Sequence, residues 1–284
     1  MNTTLDKGGF GKIKKVVYGG RPAIMKQLSI KINKYLASKL TSLTLSRITP
    51  SLYMRLAPNK RELIKKNILM LRKESKFLSK FKRQEGDNIA EIYGFDPKRN
   101  VIYMKLYEGN LNDRKIKELD IEDKLELAND IINGLDIIHS NGIVHSDLKW
   151  DNILYEYDKN EEKYKAYITD FGLSNFEGEI IEGGTKIFAP KNEELLSVEN
   201  DIYSLGKTFI ELFYIKDNSE KEYKILSKLT YNNFPDYISI EDFGYYEGMF
   251  KLVRKCLRQK KEERPKLSDF IDYFISWIIF EITF

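Results

Sequence analysis

The spacing of apolar residues changes along the chain, and this change restricts the possible folds more than any other feature. In the first 106 residues, short alternating runs around Ile13 and at 101–106 predict strands. Between them, residues 59–83 place apolar side chains at helical spacing and basic ones opposite, which predicts one long amphipathic helix. Later periodic segments, such as 122–139 and 201–213, are helical. The pattern predicts the α+β class, with a small strand-rich part followed by a larger, mainly helical part.

Length and cysteine content narrow the class further. The 284 residues have room for about two compact units. Cys256 is the only cysteine, which excludes an internal disulfide and a zinc site built from paired cysteines. The N-terminus lacks the basic start and apolar run of a signal peptide, and we interpret the apolar residues 270–284 as a final packed helix, too short to span a bilayer. We therefore expect a cytoplasmic protein without a transmembrane segment.

Basic residues are concentrated in one region. The net charge is +4, yet residues 26–83 hold sixteen Lys or Arg against two acids, Glu62 and Glu74. Within this region, the leucines and isoleucine of residues 27–58 suggest a packed helical insertion (Leu40, Leu43, Leu45, Ile48 and Leu52). The charge is either a solvated face or a site for an acidic protein, nucleic acid or membrane surface.

Two motifs in the second half carry most of the chemical information. One is the run HSDLKWDN from His145 to Asn152, and the other is Asp170-Phe171-Gly172. They resemble the catalytic loop and the metal-binding motif of the eukaryotic-type protein kinases, in order, spacing and context over nearly the whole chain. The resemblance implies a bilobal kinase-like fold, with residues 1–106 as the N-lobe and 107–284 as the C-lobe. It also implies ATP-dependent phosphoryl transfer to serine or threonine hydroxyls of protein substrates.

The same resemblance assigns roles to four polar residues. Asp147 orients the substrate hydroxyl and accepts its proton. Lys149 lies against the transferring phosphate and is typical of the serine/threonine branch. Asn152 and Asp170 hold Mg²⁺, which prefers hard oxygen ligands.

Nucleotide binding is assigned mainly to the first part of the chain. A glycine-rich turn at residues 5–13 allows backbone amides to approach phosphate, although such turns are common. Lys26 ends a predicted strand, where its ammonium needs an anionic partner. The resemblance implies that Lys26 contacts the ATP α- and β-phosphates and is held by Glu74 of the long helix. Further ATP contacts are expected at Gly8, Gly11, Ile13, Ala23, Met104 at the back pocket, and the backbone of Lys105 and Tyr107.

Three features of the C-lobe extend the match. Residues 184–190, with Thr185, resemble the substrate-docking end of the activation segment of the family. Asp201 matches a buried aspartate that anchors the catalytic loop. Arg264 matches a late arginine that usually pairs with a glutamate.

Four positions or segments depart from the family pattern. Asp6 replaces the first loop glycine, Lys191 replaces the glutamate that pairs with the late arginine, and residues 27–58 are inserted. As a hypothesis, Glu193 or Glu194 pairs with Arg264 instead. Ser146 replaces the catalytic-loop arginine.

The Ser146 departure bears on regulation, because the usual arginine pairs with an activation-segment phosphate in many relatives and serine cannot do so. Between Asp170 and Pro190 only Ser174 and Thr185 carry hydroxyls. We therefore expect activity that does not depend on phosphorylation of this segment.

Two other functions remain open. A small-molecule kinase of the aminoglycoside phosphotransferase type shares an Asp-x-x-x-x-Asn loop, but Lys149, residues 184–190 and Asp201 argue against it. A pseudokinase that acts as a binding scaffold is consistent with the departures, but the presence of Lys26, Asp147, Asn152 and Asp170 argues against it.

Overall fold

The computed structural model describes residues 4–6, 11–31, 42–44, 53–54, 56–81, 87–191, 193–215, 220–234, 238 and 246–283. The chain divides into two compact units. One contains Met1–Glu85 with Ala90–Leu106, and the other contains Gly86–Ile89 with Tyr107–Phe284. The two units have the predicted α+β character, strand-rich first and mainly helical second.

The first unit is built on an antiparallel sheet. Its strands are β1 (Thr4–Asp6), β2 (Gly11–Tyr18), β3 (Arg21–Lys31), β4 (Ser42–Thr44), β5 (Ile92–Asp96) and β6 (Val101–Lys105). The order is β1-β2-β3-β6-β5, and β4 also pairs with β3. Gly19 and Gly20 join β2 to β3 with φ of 56° and 80°, a conformation that glycine adopts without strain in a two-residue hairpin turn.

The predicted long helix is present as α1 (Pro58–Phe81). Proline suits the first turn of a helix, because its missing N–H would have no helical acceptor there. One face buries apolar side chains including Ile64, Leu71 and Leu78, and the predicted amphipathic stripe is confirmed. Residues 82 and 83 lie outside the described residues.

The predicted helical insertion at 27–58 is wrong for residues 27–31 and 42–44, which are strands, whereas residues 53–54 are helical. Its first five residues continue strand β3 to Lys31, and Leu43 belongs to strand β4, opposite Ile30. Strand β3 extends past the ends of β2 and β6, which pair with it only as far as Leu28. The backbone amides and carbonyls of its last residues are therefore available to pair with β4. Of the other apolar residues predicted there, Leu40, Leu45, Ile48 and Leu52 lie outside the described residues.

The second unit is mainly helical. Its helices are α2 (Arg114–Lys117), α3 (Ile121–Ser140), α4 (Val198–Phe213), α5 (Glu220–Lys228), α6 (Glu247–Cys256) and α7 (Leu267–Thr283). Asp120 caps α3 by accepting a hydrogen bond from the Asp123 amide, and Ser197 with Asn200 forms a capping box on α4. The predicted packed C-terminal helix is α7, which buries Phe270 and Phe274. No described helix is long and apolar enough to cross a membrane.

Five short strands of the second unit flank the two motifs. They are β7 (Gly109–Asn110), β8 (Ile143–Val144), β9 (Ile153–Asp158), β10 (Lys163–Ile168) and β11 (Asn175–Phe176). β9 pairs with β10 and β7, while β8 pairs with β11. The first motif lies between β8 and β9, and the second lies between β10 and β11.

Within the second unit, Asn88 contacts β10, although it precedes β5 in the chain. The Ile168 amide donates to the Asn88 carbonyl over 2.9 Å, and Asn88 Nδ2 donates to the Ala166 carbonyl over 3.0 Å. Asp130 of α3 accepts a hydrogen bond from the Ala166 amide over 2.8 Å. These bonds hold β10, the strand that leads to Asp170.

Candidate active site

A buried carboxylate on α4 holds the loop after β8. The amides of His145 and Ser146 donate to the two Asp201 oxygens over 2.6 and 2.8 Å, and His139 Nε2 lies 3.0 Å from Oδ2. Burial by itself raises the pKa of Asp201. The hydrogen bond from His139 and the electrostatic interactions with His139 and His145 lower it by more, so the pKa of Asp201 lies below its ordinary value. Ser146 has a φ of 71°, unusual for a residue with a side chain, and the Asp201 bond stabilises it there.

The Asp147 carboxylate is the point on which the predicted residues converge. Oδ2 accepts hydrogen bonds from Lys149 Nζ over 2.8 Å and from Asn152 Nδ2 over 3.0 Å. Oδ1 accepts from the Thr185 amide over 2.8 Å and from the Thr185 hydroxyl over 2.7 Å. Lys149 Nζ also donates to the Thr185 hydroxyl oxygen over 2.7 Å. The loop and the later segment therefore meet at one carboxylate.

Asn152 and Asp170 come from adjacent stretches of backbone. The Thr169 amide, next to Asp170, donates to the Asn152 carbonyl over 2.9 Å. Asn152 Nδ2 donates both to the Asp147 carbonyl over 2.8 Å and to its carboxylate, so the side-chain oxygen is directed away from Asp147. Asp170 has a φ of 67°, a conformation that is common at functional sites.

The chemistry of these two donors fits magnesium, because a carboxylate and a carboxamide both offer hard oxygens. Within the described ranges, no group of three or more His, Cys, Asp or Glu side chains is placed to hold a metal ion. A cation at Asn152 and Asp170 would need further oxygen ligands, which water and a bound phosphate compound both offer.

Sequence reasoning assigned no role to His145, yet this residue links the two motifs. Its Nδ1 accepts a hydrogen bond from the Asp147 amide over 3.3 Å, which leaves Nε2 to donate to the Thr169 carbonyl over 3.0 Å. The ring packs edge-on against Phe171, with centroids 5.1 Å apart. The sequence shows only that His145 and Phe171 lie within the two motifs; their contact joins separate segments of the chain.

In the first unit, the predicted ion pair between Lys26 and Glu74 is present. Lys26 Nζ lies 2.8 Å from Glu74 Oε1, and the Glu74 side chain is 2% exposed. Lys26 lies in the middle of the sheet, paired with Ile13 on one side and Ile102 on the other. Helix α1 thus places its one buried acid against the lysine of β3.

The other predicted nucleotide contacts are distributed over both units. In the first unit, Ala23 and Met104 are buried, Gly11 begins β2, and the Lys105 amide donates to the Glu91 carbonyl over 3.0 Å. In the second unit, Tyr107 packs against Tyr167 with centroids 4.8 Å apart. Gly8 lies outside the described residues.

The structure selects one of the two partners suggested for Arg264. Arg264 Nη2 lies 2.7 Å from Glu193 Oε1, while Glu194 is exposed. The hypothesis of a replacement ion pair is confirmed for Glu193. Of the other departures, Asp6 lies in β1, where its backbone pairs with Ile13.

Comparison with known proteins gives a consistent family assignment. A sequence profile described as "Protein kinase domain" matches residues 56–274. Mitogen-activated protein kinase kinase kinase 17 of Arabidopsis thaliana is 29% identical over 221 residues, covering 68% of this chain and 55% of the relative. Mitogen-activated protein kinase kinase kinase 8 of Rattus norvegicus is 27% identical over 207 residues, covering 66% of this chain and 42% of the relative.

The name of a third relative includes tyrosine as well as serine and threonine. The dual serine/threonine and tyrosine protein kinase of Xenopus laevis is 27% identical over 198 residues, covering 63% of this chain and 19% of the relative. The chain thus spans between about a fifth and about half of the length of these three curated relatives.

Proposed function

Because this chain belongs to the protein kinase family, we propose that it is an active enzyme that transfers the γ-phosphoryl group of ATP to serine or threonine hydroxyls of protein substrates. The observation that carries the proposal is the convergence of Lys149, Asn152 and Thr185 on the Asp147 carboxylate. Catalysis of phosphoryl transfer is mostly positioning and charge neutralisation, and this arrangement supplies both.

Asp147 is proposed as the catalytic base. Its carboxylate is held from both sides, by Lys149 and Asn152 on Oδ2 and by Thr185 on Oδ1. A substrate hydroxyl oriented toward it loses its proton as the oxygen attacks phosphorus. Lys149 lies at hydrogen-bonding distance from this carboxylate, where its charge stabilises the transferring phosphoryl group.

Preference for serine and threonine is supported by the contact between Lys149 and Thr185. The 2.7 Å hydrogen bond keeps the Lys149 ammonium beside Asp147 and next to an aliphatic hydroxyl, that of Thr185. Two of the relatives described above bear names of mitogen-activated protein kinase kinase kinases, and one bears the name of a dual-specificity kinase. Tyrosine phosphorylation is therefore an outcome that the substrate test must distinguish.

ATP and Mg²⁺ are the proposed ligands. Asn152 and Asp170 would hold the ion, which when bound neutralises charge on phosphate oxygens. Lys26, held by Glu74, is proposed to contact the α- and β-phosphates. The remaining proposed nucleotide contacts are those predicted from the sequence: Gly8, Gly11, Ile13, Ala23, Met104, Lys105 and Tyr107.

We propose that activity does not require phosphorylation of the activation segment. Ser174 is completely buried and donates to the His145 carbonyl over 2.9 Å, and the Thr185 hydroxyl contacts Asp147 and Lys149. Both hydroxyls of residues 170–190 are thus occupied in internal hydrogen bonds.

The basic region at residues 26–83 is proposed as a surface for an acidic partner, which is an acidic protein, nucleic acid or membrane surface. Exposed lysines along α1, among them Lys65, Lys66 and Lys76, support this proposal. Binding that weakens as salt is raised would be expected of such a surface. A reducing, cytoplasmic location is proposed on the single cysteine, Cys256, which is buried.

The test is a transfer assay with labelled ATP, Mg²⁺ and generic protein substrates, followed by identification of the modified residues. Asp147→Asn should lower transfer by about 10²- to 10⁴-fold while ATP binding persists. Asp136→Asn, an exposed change on α3, is the matched control. Tight ATP binding without transfer in the unmodified protein would support a pseudokinase scaffold, and phosphorylation of aminoglycosides alone would support a small-molecule kinase.

A further inference from the structure

The segment after Asp170-Phe171-Gly172 pairs with residues that lie just beyond Ala189-Pro190. The Gly178 amide donates to the Leu196 carbonyl over 2.8 Å, and the Leu196 amide donates to the Glu179 carbonyl over 2.8 Å. The Ile181 amide donates to the Glu194 carbonyl over 3.0 Å, and Ile180 bridges Leu195. We call residues 178–181 paired with residues 194–196 the activation ladder.

The second strand of the activation ladder is anchored next to its first residue. Glu193 accepts a hydrogen bond from Arg264 Nη2 over 2.7 Å and another from Asn200 Nδ2. The Arg264 side chain is completely buried and also donates to the Glu199 carbonyl over 2.8 Å. Hydrogen bonds between charged groups are the strong ones, so Glu193 joins the ladder firmly to the start of α4.

The first strand of the activation ladder leads directly to the candidate active site. Four residues after Ile181, the Thr185 amide and hydroxyl bond Asp147. Further on, the Phe188 carbonyl accepts a hydrogen bond from the Ser204 hydroxyl over 2.9 Å. Before the ladder, Phe176 of β11 pairs with Ile143 of β8. The stretch from Phe176 to Phe188 is therefore hydrogen-bonded to other parts of the second unit at four successive places.

We propose that the activation ladder, anchored by Glu193, positions Thr185 on Asp147 and so replaces the phosphate–arginine contact that Ser146 cannot make. The regulatory part of this proposal rests on the proposed kinase function. Glu193 acts as a positioning residue, because it contacts neither Asp147 nor Thr185. It holds residues 194–196 in place, and residues 178–181, which lead to Thr185, pair with them. The segment is therefore set in place as the protein folds, without a modification step.

The first test measures amide hydrogen exchange in protein treated with phosphatase. The amides of Gly178, Ile181 and Leu196 should be protected, and so should the Thr185 amide, which reports directly on the contact with Asp147. Alternate amides along a ladder point outward, so those of Ile180 and Leu195 serve as internal controls that exchange quickly. Exchange of all these amides at one rapid rate would overturn the proposal.

The second test uses matched variants. Ile181→Pro removes a ladder donor and Glu193→Gln weakens the anchor; each should speed exchange at Thr185 by about tenfold or more. Ile180→Pro and Glu194→Gln change neighbouring positions without a ladder donor or anchor and should leave Thr185 protected. Unchanged protection of Thr185 in both Ile181→Pro and Glu193→Gln would overturn the proposal even if both proteins fold.

Transfer assays then separate this proposal from the proposed function. Phosphatase treatment should leave kcat unchanged, while Ile181→Pro and Glu193→Gln should lower kcat more than they raise KM for ATP. Glu193→Asp, which keeps the carboxylate, should retain part of the activity that Glu193→Gln loses. Loss of activity on phosphatase treatment would overturn the ladder proposal, whereas absence of transfer together with protected Thr185 would reject only the kinase function.

Discussion

Lys26 Nζ lies 2.8 Å from Glu74 Oε1, with the lysine on β3 and the glutamate in the buried face of α1. The Glu74 side chain is 2% exposed, so removal of either partner leaves the other charge poorly compensated. We expect Glu74→Gln to lower stability by about 3 kcal/mol and to weaken ATP binding. Glu62→Gln, an exposed change in the first turns of the same helix, is the control. Urea denaturation and nucleotide titration measure the two effects, and equal behaviour of the two variants would contradict the prediction.

The Thr185 hydroxyl donates to Asp147 and accepts from Lys149. Thr185→Val keeps the shape but removes both bonds, so we expect kcat for a protein substrate to fall by about 10²-fold. Thr185→Ser keeps the hydroxyl and should retain most of the activity. Steady-state kinetics of the two variants check this, and a valine variant as active as the serine variant would show that the hydroxyl is dispensable.

Ser174 is buried and bonds the His145 carbonyl. Ser174→Ala should cost about 1 kcal/mol of stability and leave transfer largely intact. Ser174→Asp places a carboxylate at a completely buried position and should lower both stability and activity. Thermal unfolding and transfer assays distinguish these outcomes. An inactive alanine variant that aspartate restores would instead indicate activation by phosphorylation at Ser174.

The titration of Asp130 makes the stability of the second unit depend on pH in a predictable direction. Burial raises the pKa of Asp130 to about 6, against the hydrogen bonds from Ala166 and Asn88 that lower it. Between the unfolded value near 3.8 and this value, the folded state retains a proton that the unfolded state has lost. Stability therefore falls as pH rises through that window, by an amount on the order of 3 kcal/mol, and stays lower above it.

Asp130→Asn keeps an oxygen acceptor for the Ala166 amide and removes the titrating group. The variant should lose this fall in stability between pH 4 and 6, as measured by urea denaturation in a pH series. Asp136→Asn, exposed on the same helix, should keep the pH dependence of the unmodified protein. Identical pH curves for Asp130→Asn and the unmodified protein would refute the assignment.

Gly134 is a second contact point of the Asn88 segment. A Cβ at this position would lie 2.5 Å from the Asn88 carbonyl oxygen, which belongs to the backbone and has little freedom to move. Gly134→Ala should destabilise the protein by about 1–3 kcal/mol, although alanine favours helices. Asn133→Ala, exposed on the same helix, should be neutral or slightly stabilising. Denaturant midpoints test the contrast.

Much of the fold was predictable because each element carries its own local signal. The stripe of α1 and the strand-turn-strand pattern around Gly19 and Gly20 depend on residues close in sequence. The helical prediction for the region around Leu43 was wrong because an open strand edge elsewhere in the chain decided its conformation. Secondary structure in such a segment depends on a partner that periodicity does not reveal.

The candidate site shows the same division. Asp147, Lys149 and Asn152 were predictable because they lie within one short motif that resembles the catalytic loop of the family. The role of His145, whose ring joins Asp147 to the Thr169 carbonyl, needed the positions of two separate segments.

The sequence by itself determined the class of this protein, the order of its elements and the short motifs that mark its family, because these follow from local periodicity and spacing. Only the tertiary structure decided that Glu193 and not Glu194 pairs with Arg264, and that the Leu196 and Ile181 amides donate to the Glu179 and Glu194 carbonyls across the activation ladder. Such choices depend on distances between residues far apart in the chain. Neighbouring candidates look alike in sequence, and packing alone brings one of them within hydrogen-bonding distance.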